Sequence, residues 1–483
     1  MFASPTAKTG RALAVAVALA LAPPIGMSTA VQAQPVFRDV FPPEEYAGRR
    51  EQLFKAIGDG VAIIEGTTER PGEQPFRQAN QFFYLTGVAE PRAIAVFDGR
   101  SRETSFFLLE RKDSDVLSKY GPGALYPEPG AAEKLGVTRV LPRPEFAKLL
   151  ATFARDGRTI YTPFRPEVLG SASSADPRTL ARLNHDDPWD GRPSREEAFR
   201  LHIMAAAPRS EIRDLDPAID RMRAIKSARE IALLREATRL TDRGILRAMH
   251  AARPGLTEYQ LQAESEYEFK RGGAYGAAYF ALVATGQNSW YTHYHYNTAT
   301  LKAGDLVQYD YAPDYKGYTS DVTRIFPANG KFTAHQREYY TIYLRLYQAL
   351  MTSIRVHETP AAITERAVAK MDAIVAGYAF TDPAIKTAVL AFVDSFRGKK
   401  GGWLGHAVGV EVHDVYGDYT TLEPGMVFTI EPMLRLPGEH VAVRLEDMLL
   451  ITATGYENLS ASVPVEIDEV ERFMARPLPA ALR

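Results

Sequence analysis

The chain has 483 residues, a formal net charge of −2 and no cysteine. So mild a charge favours neither nucleic acid nor an anionic membrane as partner, and the missing thiols exclude disulfides, thiolate nucleophiles, thiolate metal ligands and a lipoprotein anchor. Any metal must be held by carboxylate and imidazole, and the length with its ordinary apolar content predicts two or three packed domains.

In chain order, Lys8 and Arg11 precede an apolar run from Ala12 to Leu21, then Pro23-Pro24, then small residues at Val31-Gln32-Ala33. This pattern predicts a signal peptide over 1–33 and an exported protein, periplasmic or secreted, with no stable membrane insertion after cleavage. The run is shorter than the roughly 20 residues a spanning helix needs.

Residues 34–206 alternate strand and helix patterns and are expected to form a first α/β domain. Val61-Ala62-Ile63-Ile64, Ala93 to Phe97 and Ser105 to Leu109 have the composition of short buried strands. Asn184 to Glu197 is polar with two prolines and looks like an excursion near the domain's end.

Residues 207–483 are expected to form the second domain. Ser227 and Glu230 make a capping box ahead of Ile231, Leu234, Thr238, Thr241 and Ile245 at helical spacing. A Pro254-Gly255 turn follows, Thr257 and Gln260 open a shorter helix ending near Gly272-Gly273, and strands come next. The order recurs: Thr333 and Gln336 open a long helix, Thr359-Pro360 breaks it, a second helix runs from about 361 to 378, and strand-like segments extend from Val408 to Leu450. Two halves of matching layout suggest a pseudo-two-fold domain with one site between them.

The most informative stretch runs from Asp305 to Arg324, two β-rich runs joined by the turn residues Pro313 to Gly317. With the turn centred on Tyr315-Lys316, Asp310 falls opposite Asp321. Like charges so placed repel by roughly 3 kcal/mol at about 5 Å and an effective dielectric near 20. A divalent cation between them would offset this. Val427 to Pro432 and Val441 to Asp447 are further strand-like runs carrying Glu431 and Glu446, with Arg444 on the Glu446 face by alternation. His406 sits in the glycine-flanked Gly405 to Gly409, and Val410 to His413 follows as a strand. Four carboxylates and a neutral imidazole suit two divalent ions, and such oxygen-rich ligation suits Mn²⁺, Zn²⁺ or Co²⁺ more than copper.

At these residues the chain resembles the aminopeptidase P and prolidase family of dinuclear-metal peptidases, within the creatinase and methionine aminopeptidase superfamily. Pro75-Phe76-Arg77-Gln78-Ala79-Asn80-Gln81-Phe82-Phe83-Tyr84-Leu85-Thr86-Gly87 is similar to the family's N-terminal signature, and the series His293, Asp310, Asp321, His406, His413, Glu431, Glu446 matches its site residues in type and spacing. The resemblance implies a creatinase-like α/β domain followed by a pita-bread catalytic domain. It implies that Asp310, Asp321, His406, Glu431 and Glu446 bind two metals sharing an activated water, and that Glu431 shuttles a proton. His293 and His413 would contact the substrate and the developing oxyanion, and Arg444 would hold a carboxylate ligand in place.

The implied activity is hydrolysis of the bond between an N-terminal residue and proline, on peptides with proline in second position, by a homodimer or homotetramer. Alternatives are an Xaa-Pro dipeptidase of the prolidase kind, a metal-free carbon–nitrogen hydrolase resembling creatinase, and a catalytically silent binding module on the same fold. Two positions depart from the family: Gly402 stands where many relatives have a histidine, and Tyr311-Ala312 follows the first aspartate in place of Ala-Gly.

Overall fold

The computed structural model describes residues 40–69, 76–110, 125–168, 170–171, 175–398 and 402–482. Residues 1–33, where a signal peptide is expected, together with Pro75 and Gly401, lie outside the described residues. No helix among those described is long and apolar enough to cross a membrane.

The first domain is built on one mixed sheet. Its elements are α1 (Pro43–Ile57), β1 (Val61–Glu65), α2 (Asn80–Thr86), β2 (Ile94–Asp98), β3 (Glu103–Leu108), α3 (Ala131–Leu135), β4 (Arg139–Pro142), α4 (Glu145–Arg155), β5 (Ile160–Thr162), α5 (Ala175–Asp186), α6 (Arg195–Ala206), β6 (Ile212–Asp214) and α7 (Asp216–Ala224). The strands lie in the order β4-β3-β2-β1-β5-β6. Both faces are covered, so alternate residues of β1 enter different cores. Ala62 and Ile64 pack with α1, α2 and α7 through Leu53, Phe82 and Ile219, whereas Val61 and Ile63 pack with α4 and α6 through Phe153 and Ile203. Burial on both faces explains why these strands read as continuous apolar runs.

Strand β6 continues this sheet past Ala206, where the sequence suggested a boundary, and Leu215, Ile219 and Met222 complete one of its cores. The polar excursion at 184–197 is the end of α5, a loop and the start of α6, whose N-cap Ser194 accepts from the Glu197 amide.

The second domain follows as α8 (Ala228–Ala251), α9 (Glu258–Arg271), β7 (Gly276–Ala277), β8 (Leu282–Thr285), β9 (Leu306–Asp310), β10 (Pro313–Asp314), β11 (Thr323–Pro327), α10 (Ala334–Met351), α11 (Pro360–Ala376), α12 (Pro383–Asp394), β12 (Val427–Ile430), β13 (Met433–Leu436), β14 (Val441–Arg444), β15 (Asp447–Thr452), β16 (Gly455–Asn458) and α13 (Ile467–Ala475). The capping boxes at Ser227, Thr257 and Thr333 are all present. Each half places helices ahead of a three-stranded sheet, α8 and α9 before β11-β9-β8 in the first and α10, α11 and α12 before β12-β15-β16 in the second. One large core, including Leu240, Phe269, Tyr309, Tyr343, Phe428 and Leu449, joins helices to sheets in both halves.

The aspartate hairpin differs in register from the expectation. Tyr315 bridges Tyr318, with Lys316 at φ 55° and Gly317 at φ 83° between them. Two consecutive left-handed residues make the turn twist with its strands, and the Asp314 carboxylate fixes it by accepting from the Gly317 amide at 2.9 Å. The turn therefore centres one residue later than expected, and Asp310 faces Thr323 rather than Asp321. Val410 to His413 is likewise not a strand. It is a loop tethered by the isolated bridge between Ala407 and Asp414 and by the Val412 amide donating to the Ser171 carbonyl at 2.8 Å.

Candidate metal centre

The site lies where strand ends of both halves converge. Asp310 is the last residue of β9, and Asp321 lies two residues before β11. Glu431 follows the end of β12, and Glu446 sits between β14 and β15. The two glutamates are thus just off the strands rather than within them, and strand β14 ends at Arg444, before Glu446. His406 is held by pairing of its neighbour Ala407 with Phe428 and by its own carbonyl accepting from the Thr429 amide at 2.9 Å.

Ligand atoms of all five expected metal residues come together. Asp310, Asp321 and Glu446 form one group with oxygens within 4.8 Å of one another, and His406, Glu431 and Glu446 form a second. His406 Nε2 lies 3.5 Å from Asp321 Oδ2, 3.3 Å from Glu431 Oε1 and 3.6 Å from Glu446 Oε1. Asp321, His406 and His413 make a third such group, so His413 also falls within ligand range.

Three of these carboxylates are almost without solvent, with Asp310, Asp321 and Glu446 at 3%, 5% and 1% exposure. Burial raises the Asp310 carboxyl above its usual range, with Arg444 opposing and Glu446 adding to the rise. Burial, then Glu446 and Asp310, push Asp321 well above its usual range. Glu431 is the most open of the four; burial would raise it, but the His406 hydrogen bond and the Arg444 charge hold it low. Burial disfavours charge on His406, yet its bonds to Glu431 and Glu446 and the nearby anions raise its pKa well above normal.

Arg444 donates from Nη2 to Asp310 Oδ2 and lies with Nη1 3.5 Å from Glu431 Oε2. One guanidinium among four carboxylates leaves the cluster strongly negative. Glu446 Oε2 accepts from Thr323 Oγ1 at 2.8 Å, while Oε1, fully buried, has no partner within hydrogen-bond distance among the described residues, its nearest cationic group being His406 Nε2 at 3.6 Å. An orphaned buried carboxylate oxygen among like charges is costly unless a cation is bound. These residues therefore fit a pair of divalent ions in charge, donor type and placement.

The expected substrate-facing histidines divide. His413 stacks on His406, and burial first, then the His406 charge, pushes its pKa down to about 3. His293 is exposed on the segment before β9 and is not among the residues whose ligand atoms converge. The neighbouring His295 instead packs its ring on Phe280 and Tyr296, at centroid distances of 4.5 and 5.0 Å.

Tyr279 was not foreseen. Its hydroxyl oxygen lies 2.6 Å from Asp310 Oδ1 and 2.8 Å from Asp321 Oδ1, and burial with those two charges raises its pKa well above the ordinary value. Nothing local marks it; the pairing of β7 with β10, Ala277 opposite Pro313, and of β8 with β9, Leu282 opposite Asp310, carries it to the carboxylates. Thr323, which holds Glu446, was not singled out either, and its place two residues after Asp321 is the signal that marks it.

Comparison with known proteins gives a consistent picture. Residues 232–453 match the model described as Metallopeptidase family M24, and residues 46–161 match Aminopeptidase P, N-terminal domain. The Xaa-Pro aminopeptidase of Escherichia coli (strain K12) is 33% identical over 89% of this chain and 97% of its own length. The structure of proline aminopeptidase P II from Yersinia pestis is 33% identical, covers 90% of this chain and all of its own, and superposes with a TM-score of 0.69. Zn-substituted Escherichia coli aminopeptidase P in complex with product is 30% identical over 92% of this chain and 99% of its own, with a TM-score of 0.70.

Proposed function

The chain belongs to metallopeptidase family M24, and from that premise we infer that it hydrolyses the peptide bond between an N-terminal residue and a following proline as a metal-dependent aminopeptidase. The single observation that carries this reading is the convergence of Asp310, Asp321, His406, Glu431 and Glu446 in one buried pocket.

These five residues would hold two divalent ions, which supply Lewis acidity and a water-derived nucleophile at neutral pH. The chain's own groups do the rest. Glu431, the most accessible of the carboxylates, takes a proton from the attacking water and delivers it to the proline nitrogen as the C–N bond breaks. His413, kept neutral, donates an N–H to the carbonyl oxygen as it gains charge, and His293 contacts the substrate from the open side. Arg444 keeps the Asp310 and Glu431 carboxylates in place, and Tyr279 and Thr323 do the same for Asp310, Asp321 and Glu446.

Oxygen-rich ligation favours Mn²⁺, with Zn²⁺ and Co²⁺ as alternatives. The signal pattern at 1–33 supports export to the periplasm or the medium. Exposed aromatics on the segments flanking β8, Phe280, Tyr291 and Tyr296, support assembly as a homodimer or homotetramer.

The test is hydrolysis of Xaa-Pro-Xaa peptides by the Mn²⁺-loaded protein beside its Asp321→Ala variant. Cleavage by the first and none by the second is expected, and equal activity overturns the metal assignment. Assaying Xaa-Pro dipeptides in parallel separates an aminopeptidase from a dipeptidase.

A further inference from the structure

We propose that Arg77, in the first domain, is a positioning residue that fixes the aspartate hairpin against the histidine loop across the metal centre; this rests on the peptidase reading above. Arg77 lies just before α2, is 9% exposed, and spreads its guanidinium over three separate segments. Nε donates to Asp314 Oδ2 at 2.6 Å, and Nη2 donates to the Gly317 carbonyl at 3.2 Å; both acceptors belong to the hairpin turn. Nη2 also donates to the Val410 carbonyl at 3.1 Å, in the histidine loop. Nη1 donates to the Gly170 carbonyl at 2.5 Å and to Asn80 Oδ1, and Nη2 reaches Ser171 Oγ at 3.3 Å, which anchors the group within its own domain.

The acceptors' places along the chain give these bonds their meaning. Asp314 is four residues after Asp310, and Gly317 is four before Asp321. Val410 is four residues after His406 and three before His413. Hairpin and loop meet each other directly through the Thr319 amide and the Gly409 carbonyl at 3.0 Å. Asn80 adds a parallel tie, its amide donating to Glu411 Oε1 at 3.2 Å, and Ser171 accepts from Val412 through its backbone. The histidine loop has no strand of its own along 408–413, so its placement depends on such ties.

A planar fork with five N–H donors can serve acceptors on several segments at once; an ammonium on a flexible stem cannot hold that geometry. Arg77→Lys keeps the charge beside Asp314 but frees the loop relative to the hairpin. The ligands and the neutral histidine then drift apart, and displacements of about 1 Å near reacting groups can cost about 10²-fold in rate.

The experiment compares wild type, Arg77→Lys and Arg158→Lys for melting temperature, bound metal, steady-state kinetics on a Xaa-Pro-Xaa peptide and the visible spectrum of the Co²⁺-loaded protein. Arg158 is equally buried in the first domain but bonds Asp98 and the Asp59 carbonyl, away from the site. We expect both variants to melt lower, and only Arg77→Lys to lose kcat, by about 10- to 100-fold per metal-loaded folded chain with KM little changed, and to alter the Co²⁺ bands. Wild-type kcat and an unchanged Co²⁺ spectrum in Arg77→Lys overturn the proposal. If Arg77→Lys does not fold, Ser171→Ala removes one arm; a smaller loss of kcat with altered bands supports the proposal, and unchanged values overturn it. Should the wild type cleave no proline peptide, the peptidase reading fails alone and the Co²⁺ spectra decide the role of Arg77.

Discussion

The imidazole rings of His406 and His413 lie stacked, with centroids 3.9 Å apart and planes at 30°. Two protonated rings would repel at that spacing, so only one carries charge or binds metal while the other stays neutral, and the depressed pKa of His413 identifies it as the neutral one.

His413→Ala should therefore lower kcat by about 10²- to 10³-fold, as loss of an oxyanion donor does, with KM nearly unchanged. Steady-state kinetics combined with metal analysis check this. Loss of a metal equivalent together with activity would instead make His413 a ligand, which its distance to Asp321 and His406 permits.

Tyr279→Phe removes the hydroxyl shared by Asp310 and Asp321 while leaving the ring packed on Tyr311. Supporting hydrogen bonds of this kind are worth about 10- to 100-fold in metal affinity. Titration calorimetry with Mn²⁺ should show that loss; wild-type affinity in the variant would remove Tyr279 from the site's supports.

Metal removal should weaken the fold as well as the activity, because Asp310, Asp321 and Glu446 then face one another with no cation between them. Ions bound only by the folded state stabilise it by about 2.7 kcal/mol per site at a concentration of 100 Kd. Thermal melts with chelator and with added Mn²⁺ should differ in this direction. The difference should shrink in Asp321→Ala.

Asp242, which is not among the candidate ligands, gives a separate pH signature. On α8 it accepts from Ser462, its other oxygen has no hydrogen-bond partner among the described residues, and burial first, with a contribution from Asp447, pushes its carboxyl up to about 6. The folded chain thus binds this proton more tightly than the unfolded chain, whose value is near 3.9. Stability from this group is complete below about 4 and declines as pH rises to about 6, by roughly 3 kcal/mol in total. Asp242→Asn should gain on the wild type in melting temperature across that window and run parallel to it above. Curves that stay parallel from pH 4 to 7 would refute this.

Helices and caps were legible in the sequence because their signals are local: Ser227 with Glu230, or Thr333 with Gln336, need no partner from elsewhere. Helix α12 carried such a signal in Asp382-Pro383 ahead of apolar residues at helical spacing, and it went unread. The five candidate ligands that the structure brings together were legible as a set, by type and spacing. The hairpin register was not, because nothing in Tyr315-Lys316-Gly317 states that a lysine will accept a positive φ. The loop at 410–413 alternates like a strand, yet its partners include Arg77, Asn80 and Ser171, more than 200 residues away in the chain. Tyr279 depends on strand pairing alone.

Helix α7 belongs by packing to the first domain, through Leu215, Ile219 and Met222, while its Arg223 pairs with Glu411 at 2.8 Å and with Asp414 in the second. A chimaera that exchanges N-terminal domains among relatives must therefore place its joint after Ala224 and match the donor's arginine to the recipient's acidic loop. Grafting at residue 206 would keep Arg223 with its own Glu411 and Asp414 but would close the donor's interior with a foreign Leu215, Ile219 and Met222.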